Sequence, residues 1–340
     1  MLFVCKNCFA DNELIGFISA QNLIGKCDYC KSEKVETIAF EELLDFFKEL
    51  FDNFQLKSQG KTLLSLIQEN WNLFSSLDNG HIIINETLLR IDSPFTNSEE
   101  RVDFSDEILE NINYWFTLKE QLKWEKRYFT DIGTLTDDLG WDSFFESKSV
   151  VKDEDIFFRA RLHHNAEESI YPPEKMSCPL PNFATAGRAN PIGIPYLYLS
   201  DNEETILYEI RASYLDEVTI ATFTKNHEIG TEILISDFTE IPTLYHPNSV
   251  NKRIKSTLLK QLISRDLSKP MRRYDSELDY IPTQFICEFI RTFTNVQGIK
   301  FRSSLHNVGN NLVIFNEKIM KCISGKKVQI AKVNIEARDL

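Results

Sequence analysis

The sequence predicts an α+β protein of more than one domain. Three features lead there. Two Cys-x2-Cys pairs crowd the first thirty residues, amphipathic helical repeats fill the stretch to about residue 146, and beyond it strand-like and helix-like runs mix without a regular βαβ alternation. At 340 residues the chain is too long for one small core, so two or three domains are expected. The textures divide it into 1–38, 39–146 and 147–340.

The first pair is Cys5 and Cys8 in "CKNC", the second Cys27 and Cys30 in "CDYC", with eighteen residues between them. This is zinc-ribbon spacing: each pair can form a knuckle on one ion, and the span between can form a short hairpin. Four thiolates suit tetrahedral Zn2+ and leave no open coordination position, so the expected metal role is structural. The other three cysteines, Cys178, Cys287 and Cys322, are scattered and read as small apolar residues.

From Phe40 the apolar residues recur at helical spacing through Leu43, Leu44, Phe47, Leu50, Phe51 and Phe54. Gly60 interrupts, and a second helix is expected through Leu63, Leu66, Ile67, Trp71 and Phe74, ended by "DNG" at 78–80. A third is expected over 106–129, with Ile108, Ile112, Trp115, Leu118 and Leu122 on one face. Periodic aromatics of this kind build a helical core rather than a base-stacking surface, so 39–146 reads as an all-helical domain.

In the last part, 155–162 and 194–200 read as strands, and 202–213 as a helix capped by Asn202. The runs 217–225 and 232–239 are strand-like, while 250–267 and 282–293 are helical, the latter with Pro282 in its first turn. Strands at 298–304, 310–316 and 327–335 close the chain.

Composition and motifs exclude several classes. A net charge of -13 argues against broad nucleic-acid binding, though not against a local basic pocket for a small anion. No apolar run approaches a membrane span, and "MLFVCKNC" lacks the basic-then-apolar form of a secretory signal, so the cytoplasm is the expected location. P-loop, G-x-G-x-x-G, G-x-S-x-G and H-E-x-x-H motifs are absent. The adjacent His163 and His164 point to opposite faces of a strand and read as a polar edge rather than a metal pair.

What remains is a dispersed polar set. Arg159 and Arg161 lie two apart on a strand and share a face suited to a diphosphate. Arg188 follows Gly187 in a turn with Asn190, and Tyr198 lies on the next strand with Tyr196 on the same side. Glu204 and Glu209 lie on the following helix, and Ser303 and Ser304 come late. In isolation these read better as surface ion pairs, edge tyrosines and turn serines.

The segments "FFRAR", "GRANPIGIPYLYLS", "ETILYEIR", "YIPTQFICEFIR" and "GIKFRSSLHNVGNNLVIF" together resemble the RES domain family, in order, over roughly 155–335. The helical region before them resembles the HEPN/RES N-terminal domain. The resemblance implies a mixed-sheet, ADP-ribosyltransferase-like fold acting on NAD+, by degrading it or transferring ADP-ribose. It also implies a place among bacterial toxins or defence effectors paired with antitoxins or other regulatory proteins. It puts the family's arginine on Arg159, its turn arginine on Arg188, its tyrosine on Tyr198, its glutamate on Glu209 and its serine on Ser303. Ser304 stays interchangeable with Ser303, Asn190 joins the NAD+-binding set, and Glu204 is the weaker carboxylate.

Chemistry fits these residue types. Breaking the nicotinamide–ribose bond creates an oxocarbenium-like centre, which the Glu209 carboxylate can stabilise. The cationic nicotinamide suits the Tyr198 ring face, the diphosphate suits Arg159 and Arg188, and Ser303 can orient an amide or ribose. The leaving group departs neutral, so no strong general acid is required.

The other reading is a non-catalytic sensor binding RNA or protein through the zinc ribbon and helices. HEPN ribonucleases need an Arg followed within a turn or two by His. Here His81, the only histidine between 39 and 146, precedes Arg90, Arg101 and Arg127, so RNA cleavage by this region is not expected. The expected partners are NAD+, a regulatory protein and a second copy of the chain, with no membrane.

Overall fold

The computed structural model describes residues 2–146, 149–165, 169–240, 242–247, 249–270, 277–306 and 308–334. The chain forms two compact units: Met1–Trp115 with Glu240–Leu259, and Phe116–Thr239 with Lys260–Leu340. Residues 240–259 thus belong with the N-terminal unit, which a linear three-part division does not provide for.

In the first unit, β1 (Phe3–Cys5) leads to α1 (Asn12–Ala20), β2 (Leu23–Gly25) and β3 (Val35–Ala39), the strands pairing antiparallel in the order β1-β3-β2. The span between the cysteine pairs is therefore mainly a helix, not a hairpin. Asp11 starts it by accepting hydrogen bonds from the Glu13 and Leu14 amides, both at 3.0 Å, and Leu14 and Ile18 bury a four-residue stripe. The same Asp11 carboxylate accepts the Leu244 and Tyr245 amides, fastening the 240–259 segment within this unit.

Next, α2 (Leu44–Phe51) buries Phe46, Phe47, Leu50 and Phe51. It stops before Phe54, because β4 (Phe54–Thr62) begins there and pairs antiparallel with β5 (Arg101–Phe104). The region read as all-helical therefore contains a two-stranded ribbon. Gly60 allows it: a Cβ there would lie 2.1 Å from the Val102 carbonyl oxygen. Between these strands run α3 (Leu63–Trp71), capped by Thr62, and α4 (Leu77–Leu88), capped by Ser76. "DNG" opens α4 instead of ending α3. Asp78 sits in the favoured first turn, and a Cβ at Gly80 would lie 2.5 Å from the Leu64 side chain. The following α5 (Asp106–Trp124) stops short of residue 129, its expected stripe Ile108, Ile112, Trp115, Leu118 and Leu122 all buried.

The second unit holds α6 (Trp141–Phe145), β6 (Ser149–Val150), β7 (Phe157–Leu162), α7 (Pro173–Met176), β8 (Leu197–Ser200), α8 (Glu203–Glu209), β9 (Glu217–Lys225) and β10 (Leu234–Asp237). After α9 (Val250–Ser268), whose last turns belong here, come α10 (Ile281–Phe293), β11 (Gly298–Arg302), β12 (Asn310–Ile314) and β13 (Met320–Gln329). Eight strands form one mixed sheet in the order β13-β9-β7-β8-β12-β11-β10-β6, in which only β10 and β11 pair parallel. The fold is α+β, as the mixed runs imply.

Two features of this sheet position the site. The lacing between β7 and β8 is thin: a single register pair, Phe158 opposite Ser200, joins them, against six pairs between β7 and β9 and four between β8 and β12. Apolar clusters cover the sheet, one around Phe157, Leu197, Leu199, Phe223, Leu312 and Ile314, the other around Ala160, Val218, Ile220 and the α8 residue Ile206. The last strand starts earlier than its sequence suggests. The nine-residue β9 offers partners along 320–329, and a bulge between Cys322 and Ser324 absorbs the misfit. Ile335, the end of the expected strand, lies outside the described residues. No helix among the described residues is long and apolar enough to cross a membrane.

Candidate functional site

One cavity of about 300 Å3 opens in the second unit, and its wall includes Arg159, Arg188, Tyr198, Glu209, Ser304 and Asn311. The rest is mainly apolar, with Ile206, Ile210, Leu267 and Phe301.

Arg159 lies on β7 at the thin seam, where its Nη1 donates to the Tyr198 main-chain oxygen at 3.3 Å. Burial pushes its pKa down from the ordinary guanidinium value. Arg188 is anchored the same way, Nη1 donating to the Leu267 carbonyl at the end of α9 at 2.7 Å, and burial again works against its charge. Among the described residues neither guanidinium has an ion-pair partner. Two half-buried cations held by carbonyls on one cavity wall form a site short of an anion.

The Gly187–Pro191 turn that carries Arg188 is a built object. The Tyr198 hydroxyl donates to Asn190 Oδ1 at 2.7 Å and accepts from the Ala189 amide at 3.1 Å. Glycine is required beside them, since a Cβ at Gly187 would lie 2.6 Å from that hydroxyl oxygen. From α10, Thr283 Oγ1 donates to the Arg188 carbonyl at 2.7 Å, and Gln284 Nε2 to the Gly187 and Asn190 carbonyls at 2.8 and 3.1 Å. Burial pushes the Tyr198 phenol well above its usual pKa, which keeps it neutral.

Asn202 caps α8 by accepting the Thr205 amide at 2.9 Å, and the chain leaves the helix through Arg211 at φ +54°, so Glu209 is its last residue. Glu209 Oε1 accepts from Ser303 Oγ at 2.6 Å and from Asn311 Nδ2 at 2.8 Å. Ser303 Oγ also accepts the Leu305 and His306 amides at 3.3 and 3.2 Å. With one donor and two acceptor positions, that hydroxyl is fully used inside the protein.

The structure thus brings Arg159, Arg188, Tyr198 and Glu209 to one cavity and sorts the rest. Ser303 stands behind Glu209 and does not line the wall; the exposed Ser304 does. Asn190, expected among the binding residues, is buried within the turn. Its Oδ1 is taken by Tyr198, and its Nδ2 donates to the Thr185 and Pro191 carbonyls. Arg161 turns to the Lys175 carbonyl and the Tyr171 ring, so it does not join Arg159. Tyr196 is core, against Phe315 and Arg291. Glu204 is exposed and lines no part of this cavity. His163 stacks on Tyr171 with ring centroids 4.2 Å apart, and its Nε2 bonds Thr219 Oγ1 at 2.8 Å. Sequence reasoning missed Asn311. The only hint was the second of two asparagines at the head of an otherwise apolar strand.

A family model described as the RES domain matches residues 156–333, just over half of the chain. The chain belongs to the RES domain family. RES domains are NAD-related, ADP-ribosyltransferase-like modules, and the cavity lies wholly inside the matched stretch. No characterised protein and no solved structure matches the chain.

Outside the RES domain, Cys5, Cys8, Cys27 and Cys30 converge, with all four Sγ atoms within 4.8 Å of one another. Neighbouring sulfurs stand 3.4 Å (Cys5–Cys30), 3.6 Å (Cys8–Cys27) and 3.8 Å (Cys5–Cys8) apart. A tetrahedral zinc–thiolate site with bonds of about 2.3 Å would set them about 3.8 Å apart, so the cluster fits a four-thiolate ion. The hydrogen bond from Cys5, followed by that from Cys8, pulls the Cys27 thiol pKa down. It is the only metal-competent cluster among the described residues.

Proposed function

We propose that this protein consumes NAD+ by cleaving its nicotinamide–ribose bond in the Arg159–Arg188–Tyr198–Glu209 cavity. The observation that carries the reading is the two guanidinium groups, without an ion-pair partner among the described residues, on the same wall as a carboxylate held by one oxygen. Arg159 and Arg188 bind the diphosphate. The Tyr198 ring flanks the cationic nicotinamide, while its hydroxyl keeps the Arg188 turn in place. Glu209 Oε2, which has no hydrogen bond among the described residues, faces the ribose and stabilises the positive charge that grows on its anomeric carbon. The C–N bond breaks with its electron pair going to nicotinamide, which leaves neutral. The ribosyl cation is taken by a nucleophile: water gives ADP-ribose and a proton, phosphate or a protein side chain a transfer product.

Zn2+ on the four cysteines is a structural ion in this reading and takes no step in the reaction. The helical region preceding the RES domain is assigned a regulatory or targeting role, as in toxin and defence systems held in check by a partner protein.

The test is incubation of purified protein with NAD+ and identification of the products, alongside Glu209→Ala. Nicotinamide release by the parent and not by the folded variant supports the reading. Equal release by both removes Glu209 from the reaction. NAD+ labelled in its ADP-ribose part, mixed with cell lysate, separates the acceptors: label on protein means transfer, label only in small molecules means hydrolysis or phosphorolysis.

A further inference from the structure

We propose that Asn311 is a positioning and recognition residue of this cavity: its amide nitrogen orients Glu209, and its amide oxygen serves as a hydrogen-bond acceptor for the ligand. The inference rests on the reading of Glu209 given above.

Asn311 lies on β12 opposite Ser200 of β8, a position that in an interior strand normally carries an apolar side chain. It is 9% exposed and lines the cavity. A buried amide needs partners for both of its ends. Its nitrogen donates to Glu209 Oε1 at 2.8 Å, and the carboxylate fixes which end is nitrogen, because only N–H can face it. Its Oδ1 has no hydrogen-bond partner among the described residues, and the residue lines the cavity. The amide is thus half satisfied by the protein and half presented to whatever fills the cavity.

The division of labour at Glu209 follows. Ser303 and Asn311 both donate to Oε1, so the carboxylate plane is set from two elements, the segment after β11 and the strand β12. Oε2 is left for the ligand. Asn311 Oδ1 then offers the ligand an acceptor on the same cavity wall as that carboxylate. A ligand donor fits there: a ribose hydroxyl or the carboxamide N–H of nicotinamide. Where the carboxamide N–H is that donor, the nicotinic acid analogue, which has a carboxylate in its place, is disfavoured; where a ribose hydroxyl is, the two dinucleotides turn over alike.

The experiment compares Asn311→Leu and Asn311→Asp with the parent, reading nicotinamide release from NAD+ across pH, and hydrolysis of the nicotinic acid dinucleotide. Asn311→Leu is expected to lower kcat about 10²-fold by loosening the carboxylate. Asn311→Asp sets a second carboxyl against Glu209, and the two share one proton at low pH. That proton replaces the lost N–H, so activity recovers as pH falls and is lost as pH rises through the pair's titration. The neighbouring charged and titratable groups among the described residues are Arg159, Arg188 and Tyr198 in the cavity, Arg211 and Tyr280 near Arg188, and His306 and Glu204 at the segment behind it. None is altered by the substitution, so the parent profile is the control for them. A structural role alone would not produce the acid rescue. Should Asn311→Leu prove too unstable to assay, the acid rescue of Asn311→Asp decides alone. The proposal is overturned if Asn311→Leu keeps kcat within about threefold of the parent, or if Asn311→Asp shows the parent pH profile. If those results come with an inactive Glu209→Ala, only this inference falls. If Glu209→Ala is fully active, the functional reading falls with it.

Discussion

The four-cysteine cluster of the first unit and the cavity of the second are both gatherings of polar groups, and they are built on opposite plans. In the cluster every donor atom faces the same point, and three of the four cysteines are buried. A metal there satisfies the group and leaves nothing for a substrate. In the cavity the protein deliberately falls short. Among the described residues, two guanidinium groups lack counter-ions, one carboxylate oxygen lacks a donor and one amide oxygen lacks a partner. Meanwhile the groups just behind, Ser303 and Asn190, are saturated. A closed shell marks a structural centre and an incomplete one a chemical centre.

Perturbing both sites tests that contrast. The largest effect is expected at the cluster: in small four-thiolate sites, metal binding supplies about 10 kcal/mol or more of folding free energy. Chelation or Cys8→Ser is therefore expected to melt the β1–β3 segment, read by circular dichroism and zinc content, while nicotinamide release continues. Instant loss of release in a still-folded protein would erase the distinction between the two plans. At the cavity, Glu209→Ala is expected to lower kcat by about 10²–10³ in a protein that still folds, at a cost of about 1–3 kcal/mol in stability because the Ser303 and Asn311 donors lose their acceptor. On the proposed reading Arg188→Ala takes away a charged anchor for the diphosphate and is expected to raise KM for NAD+ about 10- to 100-fold; an unchanged KM would place the diphosphate elsewhere.

Smaller effects probe the backing. Tyr198→Phe strands Asn190 Oδ1 and the Ala189 amide and is expected to cost about 2 kcal/mol in a denaturation experiment. Smallest is the Lys123–Asp279 pair at 2.6 Å, whose hydrogen bond holds the Asp279 carboxyl below its ordinary pKa. A depressed carboxyl contributes stability above the unfolded-chain pKa of about 3.9 and loses it as pH falls through the folded value. Asp279→Asn should therefore cost under about 1 kcal/mol at neutral pH, with parent and variant converging in acid.

Much of this was legible in the sequence where a local rule operates. Cysteine spacing found the thiol cluster, the Asn202 cap found the start of α8, and helical periodicity found the buried stripe of α5. The failures came where a distant partner decides. Phe54 continues a helical pattern until Phe104 offers it a strand partner, Gly60 reads as a helix break until Val102 comes against it, and the Gly80 of "DNG" reads as a turn until Leu64 needs its space. Within the site, the motif arginines, tyrosine and glutamate were visible as residues. Which of their neighbours face the ligand was not. Asn190 and Ser303 look like ligand contacts because they are polar and near, yet three-dimensional bonding uses them up. Asn311 looks like a strand residue, and only the pairing of β12 with β8 puts it beside Glu209.

The single register pair between β7 and β8 has a mechanical consequence. Arg159 stands on one lip of that seam, and its tie to the Tyr198 carbonyl is one of the few stitches across it. Load placed on this guanidinium is thus delivered to the weakest row of main-chain lacing in the sheet. The strands flanking that row are held by six and four register pairs, so the sheet is most lightly tied beside the cavity and more firmly tied on either side of it.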